Sequence, residues 1–218
     1  DDVMKLQDLI YDNLRDKDIF ATDTKSDYLR TLEQGGFVLG VYVENKLISY
    51  RYVSFPGLND QNLGLDLGMD TEALLHSANL ETTVVHPDYR GNRLQKITLD
   101  HAVALVKEKG YYHLFSTVSP KNIFSLVNVM SAELKVKALK KKYGQRADNS
   151  DGKWRFILHR DLTQEVCAEY GKIVSLSLGD FQSQVNILNG GYIGHKLDKN
   201  DQRIVYAEND SCHLNPSS

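Results

Sequence analysis

The strongest constraint on the fold lies mid-chain. Residues 79–85 (NLETTVV) form an apolar, β-type run that passes through His86-Pro87 into a helical pattern over 91–109. Gly110 then stops the helix before a second β-type run at 111–118 (YYHLFSTV). Two strands joined through a helix of that length cannot be hairpin partners. They lie parallel, with a right-handed crossover. A chain built around such a unit needs a sheet with helices packed on it, which sets the class as α/β.

The flanking pattern supports a mixed sheet. Leu6, Leu9, Ile10 and Leu14 recur at helical spacing over residues 3–14, with Asp1 and Asp2 where a helix dipole favours negative charge. A second helix is expected over 26–34, stopped by Gly35-Gly36. Residues 37–43 and 46–55 form a hairpin turned by Glu44-Asn45 and ended by Pro56-Gly57. Residues 56–77 are a long connection with a short helical stretch at 71–76, and a connection of that length usually serves function. In the helix over 91–109, Leu94, Ile97, His101, Leu105 and Val106 fall near one face, which makes His101 a core histidine. Ser119-Pro120 offers an N-cap and a first-turn proline, and Ile123, Leu126, Val127, Met130 and Leu134 follow at helical spacing. Residues 154–159 are a further strand. The expected organisation is a domain over 1–162, a mixed central sheet flanked by helices, and a small α+β extension over 163–218. The extension carries a helix at 180–188, strands near 192–197 and 203–207, and a tail from 209.

Composition excludes several classes. The 218 residues are 41% hydrophobic with a net charge of −3, so the chain is not of the disordered type. That charge gives no overall attraction for nucleic acid. The basic run from Lys135 to Lys142 lacks interleaved aromatics and fits the solvated face of an edge strand or a turn. No apolar run approaches the roughly 20 residues that span a bilayer, and the start, Asp1-Asp2-Val3-Met4-Lys5, is not a secretory signal, although an already removed leader stays open. Cys167 and Cys212 have no CxxC partner, so a reducing cytoplasm is expected, with a Cys167–Cys212 bridge as the alternative. No His, Asp or Glu set has metal-ligand spacing, and no metal is expected.

Chemistry concentrates in residues 81–95. A strand feeds a tight turn and a helix start, where unpaired backbone N–H groups and the dipole favour an anion such as a pyrophosphate. Arg90 and Arg93 add positive charge there, and Gly91 lets backbone approach a ligand closely. The alternative is an ordinary βα turn with solvated arginines. Residues 84–95, Val-Val-His-Pro-Asp-Tyr-Arg-Gly-Asn-Arg-Leu-Gln, resemble the acetyl-CoA-binding motif of the GNAT superfamily of N-acetyltransferases. That motif is Arg/Gln-x-x-Gly-x-Gly/Ala after a strand ending V-x-P-x-Y. The order of elements over residues 3–162 is similar to the family's as well.

The resemblance implies acetyl-CoA as cosubstrate, with its pyrophosphate on the amides of Arg90, Gly91, Asn92, Arg93, Leu94 and Gln95. It further implies that Val84 and Val85 pair with the pantetheine arm, and that Asn122 and Ser125 contact it from the next helix. The chain departs from the family at several places. Arg93 stands for the first inner Gly, Gln95 for the final Gly/Ala, Val129 for the usual general-acid Tyr, and Glu133-Leu134 for a Gly-Phe. Arg93 either takes positive φ with strain of order 1 kcal/mol or sits in regular helix and reaches a phosphate.

The implied reaction is acetyl transfer by direct attack of an amine in a ternary complex. Glu81 is the candidate base, on a strand face shared with Asn79, Thr83 and Val85 by simple alternation. The alternative is a Glu on a solvated face. Ser125, or a water, is the candidate acid. The acceptor is a small-molecule or peptide amine, bound across the cleft by residues 10–35, 56–77 or 163–208. A homodimer stays open. The alternative function is a non-catalytic GNAT-like CoA-binding or sensor module.

Overall fold

The computed structural model describes residues 1–144, 152–164 and 170–208. Its centre is one nine-stranded sheet in the order β1-β2-β3-β4-β6-β5-β8-β9-β7. The strands are β1 (Phe37–Val43), β2 (Lys46–Ser54), β3 (Ser77–Val85), β4 (His113–Val118), β5 (Lys135–Lys142), β6 (Lys153–Asp161), β7 (Ile173–Ser177), β8 (Tyr192–Asp198) and β9 (Arg203–Glu208). β3 and β4 pair in parallel, as the crossover demands, and the remaining pairings among the described residues are antiparallel. Glu44 and Asn45 turn the first hairpin with φ of 48° and 63°, the positive values that a two-residue turn needs to match the twist of its strands.

Helices cover both faces. On one side lie α1 (Asp2–Asp12) and α2 (Lys25–Glu33), whose Leu6, Ile10 and Tyr28 pack with Leu47, Tyr50, Tyr52 and Val84. Thr24 starts α2 with a reciprocal cap to Asp27. On the other side lie α4 (Leu94–Glu108) and α5 (Ile123–Met130), where Leu99, Ala102, Val106, Leu126 and Val129 join Val53, Ala78, Leu80 and Leu114. The same core runs on into Val136, Leu178, Leu188, Ile204 and Tyr206. Residues 173–208, including α6 (Phe181–Asn189), thus extend the sheet edge-on, with β8 joined to β5 at Val136 and Gly194.

The connection over 56–77 is folded on itself rather than open. Asn62, 1% exposed, donates to the carbonyls of Gly57 and Leu74 and accepts from the Gly64 amide. Leu63 packs with Phe115 and Ile157, and a short helix α3 (Thr71–Leu75) leads into β3.

Several expectations are corrected. α4 begins at Leu94, not Gly91, and buries Thr98, Leu99, Ala102 and Val106. His101 is exposed, because the helix buries the stripe of Thr98, Leu99, Ala102 and Val106 and His101 falls on the face turned away from it. α5 is capped by Asn122, whose Oδ1 accepts from the Ser125 amide, instead of by Ser119, and it ends at Met130 because Glu133 turns at φ 65°. The Lys135–Lys142 run is a strand that pairs with β6 along its length, and Val136 and Leu139 are buried. It is not an edge, since β8 bridges its other side. β7 was not foreseen: its half-buried Val174 and Leu176 alternate with exposed Ile173, Ser175 and Ser177 in too short a run to stand out. Cys167, Cys212 and the tail from 209 lie outside the described residues.

Candidate active site

The site arises from a parting of strands. β3 and β4 pair from Ser77 opposite His113 to Leu80 opposite Ser116, where the ladder stops. Beyond that point β3 keeps its pairing with β2 as far as Val85 and β4 keeps its pairing with β6 through Val118. A wedge opens between them. The Ser116 hydroxyl donates to the Leu80 carbonyl at 3.2 Å and closes its apex, and Glu81 is the first residue past it. A cavity of about 140 Å³ fills the wedge.

A bulge decides which side chains face which way. Arg51 lies opposite Thr83 and Val53 opposite Leu80, so three steps on β3 match two on β2. Glu81 and Thr82 therefore both turn toward the α1/α2 side, whereas Thr83 and Val85 turn toward α4. The expected face of Asn79, Glu81, Thr83 and Val85 is corrected accordingly. Simple alternation holds only up to the bulge, and Val85 is opposite in sense to Glu81.

On the α4/α5 side the wall includes Arg51, Thr83, Gln95, Ser125, Asn128 and Val129. Arg51 is 1% exposed and, among the described residues, donates only to neutral oxygens, the Gln95 carbonyl at 3.1 Å and the Thr98 hydroxyl at 3.4 Å. Burial pulls its guanidinium down to about 9. The Thr83 hydroxyl is buried with no hydrogen-bond partner among the described residues. Above this wall the loop before α4 carries Gly91 at φ 85° and Arg93, the N-cap, at φ 56°. Arg93 thus takes the left-handed conformation of the glycine it replaces, the first of its two readings. Arg90, Gly91, Asn92 and Arg93 are exposed and Leu94 half-buried. A Cβ on Gly91 would meet no atom within 4 Å, so the backbone there is open to a ligand.

On the α1/α2 side the wall includes Phe20, Asp23, Glu81, Thr82, Tyr143 and Arg155. The Ser54 hydroxyl donates to Glu81 at 2.6 Å, and burial raises the Glu81 carboxyl above its ordinary range. Thr82 donates to Asp23 at 2.5 Å, and burial lifts Asp23 to about 6, with the negative charge of Glu81 adding to the rise. The buried Gln7 side chain clamps the Asp23 backbone from both sides, donating to its carbonyl at 2.8 Å and accepting from its amide at 3.2 Å. Tyr143, at φ 61° and 48% exposed overall, shares a hydrogen bond with Thr117 at 2.6 Å, and loss of hydration at its cavity end, with the negative charge of Glu81 adding, pushes its phenol up to about 12.

The cavity brings together Glu81, Gln95, Asn122 and Ser125 from the residues singled out by sequence. Arg90, Gly91, Asn92, Arg93 and Leu94 form the adjoining loop, and Val84 and Val85 lie further out on β3. Of the segments considered for an acceptor, Ile19, Phe20, Ala21 and Asp23 of 10–35 line the cavity, and no described residue of 56–77 or 163–208 does. Asp23, Arg51, Tyr143 and Arg155 were missed. They lie far apart in sequence and outside any motif, and only tertiary packing gathers them. Arg51 alone left a signal, a charge inside an otherwise uncharged strand, LISYRYVSF. Among the described residues no group of three or more His, Cys, Asp or Glu is placed to hold a metal, and no helix is long and apolar enough to cross a membrane.

No family model matches the sequence, and no curated protein matches it. Solved structures do. An N-acetyltransferase from Staphylococcus aureus Mu50 aligns with TM-score 0.55 at 11% identity, covering 74% of this chain and 91% of that one. A GNAT superfamily phosphinothricin acetyltransferase from Sinorhizobium meliloti, in complex with acetyl-CoA, aligns with TM-score 0.54 at 13% identity over 77% of this chain and 89% of that one. The ribosomal-protein-S18-alanine N-acetyltransferase from Escherichia coli gives TM-score 0.52 at 12% identity, over 78% and 91%. The likeness is one of fold: the chain has the mixed α/β fold of the GNAT acetyltransferases.

Proposed function

We propose that this chain is an acetyl-CoA-dependent N-acetyltransferase acting by direct attack in a ternary complex. The observation that carries the reading is the β3–β4 wedge, which places a carboxyl pair, Glu81 and Asp23, just past its apex and a positively polarised helix start at its rim. In this account the amides of residues 90–95 take the pyrophosphate. Pantetheine lies along Val84 and Val85, where β3 has no β4 partner. Asn122, Ser125, the unpartnered Thr83 hydroxyl and Arg51 face it. The acceptor enters from the α1/α2 side. Residues 1–162 are the transferase unit and 163–218 an accessory one, and the reaction is assigned to the cytoplasm.

The chemical balance is simple. The ammonium of the acceptor gives a proton to Glu81, directly or through a water, with Asp23 beside it as a second carboxylate. The free amine attacks the thioester carbonyl, forming the C–N bond as the C–S bond breaks. Sulfur leaves as thiolate and takes, by way of Ser125 or a water, the second proton that the nitrogen sheds as the amide forms, while Glu81 returns the first to solvent. The buried Arg51 charge on that wall favours the thiolate, which makes the missing Tyr at Val129 tolerable. Val129 is also the observation that favours the second reading, a CoA-binding module without turnover. A CoA-release assay over a panel of amines with the 218-residue chain separates the two. Glu81→Gln should lower kcat about 10²–10⁴-fold and leave acetyl-CoA affinity nearly intact. Full turnover by that variant contradicts the role of Glu81, and binding without CoA release from any amine favours the module.

A further inference from the structure

The acceptor half of the cavity carries both signs of charge, at separate places. Glu81 and Asp23 supply two carboxyl groups next to the wedge apex. Arg155 supplies a guanidinium from β6, 3% exposed yet lining the same cavity. It donates to two backbone carbonyls, those of Asp18 at 2.7 Å and Trp154 at 2.9 Å, and its plane lies 5.6 Å from the centre of the Tyr143 ring. Two such bonds leave part of its five-donor fork uncommitted. No carboxylate among the described residues forms an ion pair with it. Asp16 and Asp18 favour its charge through space but ion-pair with Lys121 and Lys153, each at 3.1 Å, rather than with it. Burial still works against the charged form, and a ligand carboxylate paired directly with the guanidinium would offset that cost. Its planar fork matches a carboxylate in two-point fashion.

We infer that the acceptor is a free amino acid, its ammonium held at Glu81 and Asp23 and its carboxylate at Arg155, with Tyr143 between the two poles. The inference rests on the acetyl-transfer reading above and names its substrate class. Transfer joins the acetyl carbon to the amino nitrogen and leaves the carboxylate unchanged, so the product is an N-acetylamino acid and CoA.

The test compares each amino acid with its carboxamide and its decarboxylated amine at saturating acetyl-CoA, using the whole chain. The expected result is turnover of at least one amino acid, with kcat/KM about 10- to 100-fold above both analogues, the value of one charge-assisted contact. Arg155→Gln should raise KM for that amino acid by the same factor, leave KM for acetyl-CoA unchanged and abolish the preference. Arg155→Lys should restore part of it, and if Arg155→Gln does not fold, the wild-type comparison and the Lys variant decide. Equal or better turnover of the carboxylate-free analogues overturns the inference, as does turnover of none of the panel while acetyl-CoA still binds. Both of these leave the cosubstrate reading standing. Failure of calorimetry to detect acetyl-CoA binding removes that reading itself.

Discussion

Asp23 sets a sign that can be measured. Its carboxyl sits at about 6 in the folded chain against an ordinary 3.8, so the folded state holds its proton more tightly than the unfolded state does. Between about pH 4 and 6 the unfolded chain releases that proton first, and wild-type stability falls as pH rises. Below pH 4 the group is neutral in both states and costs nothing. Asp23→Asn keeps an acceptor for Thr82 and removes the charge. Its stability should match wild type at pH 4 and exceed it above pH 6, by up to about 3 kcal/mol before solvent screening reduces it. Denaturant melts of both proteins across that range check this, and a pH-independent difference contradicts it. Arg51 is the cationic counterpart. Asp100 favours its charge only through space, and replacing a buried guanidinium that has no direct ion pair by an apolar side chain of similar length is often neutral or stabilising. Arg51→Met should therefore hold or raise the Tm of the free protein while shrinking the rise that acetyl-CoA produces. A lower Tm with an undiminished rise marks Arg51 as a structural strut instead. Neither residue was visible as functional in the sequence. Asp23 lies in an ordinary polar loop, TDTKSD, and gains its surroundings only because Gln7 and Thr82, 16 and 59 residues away, close on it.

At the scale of elements, the sequence is most legible where one period dominates. The first hairpin, the βαβ unit and the helix after Ser119-Pro120 are recognisable because apolar spacing, glycine stops and turn residues agree. Legibility fails where a local device overrides the period. The β3 bulge is one case: nothing in LETTVV shows that Glu81 and Thr82 share a side, and the fact rests on pairing with β2. The strand of lysines is another, since its buried Val136 and Leu139 are three apart across a bulge of their own. The start of α4 is the third device. Arg93 caps that helix at φ 56°, where a Cβ costs about 1 kcal/mol. Arg93→Gly should raise Tm by about 2–4 °C. It should also weaken acetyl-CoA binding by about 1–3 kcal/mol if the guanidinium meets a phosphate. Unchanged affinity by calorimetry shows that Arg93 serves the loop only as backbone.

For the whole molecule, the nine strands make a single sheet whose two sides of the wedge do different things. The α4/α5 side supplies cations, amides and hydroxyls, as a polyanionic cosubstrate with a thiolate leaving group requires. The α1/α2 side supplies carboxylates and one guanidinium, as an amine acceptor with a carboxylate requires. The sheet's parting lets the two meet at Glu81, because a closed β3–β4 ladder would separate the faces completely. A crystal structure of the chain with acetyl-CoA bound puts that division of labour to the test. The account predicts pyrophosphate density on the amides of residues 90–95, pantetheine between β3 and β4, and the acetyl carbonyl within reach of Glu81. Acetyl-CoA seated elsewhere on the molecule, or an acetyl group on the side away from Glu81 and Asp23, would contradict it.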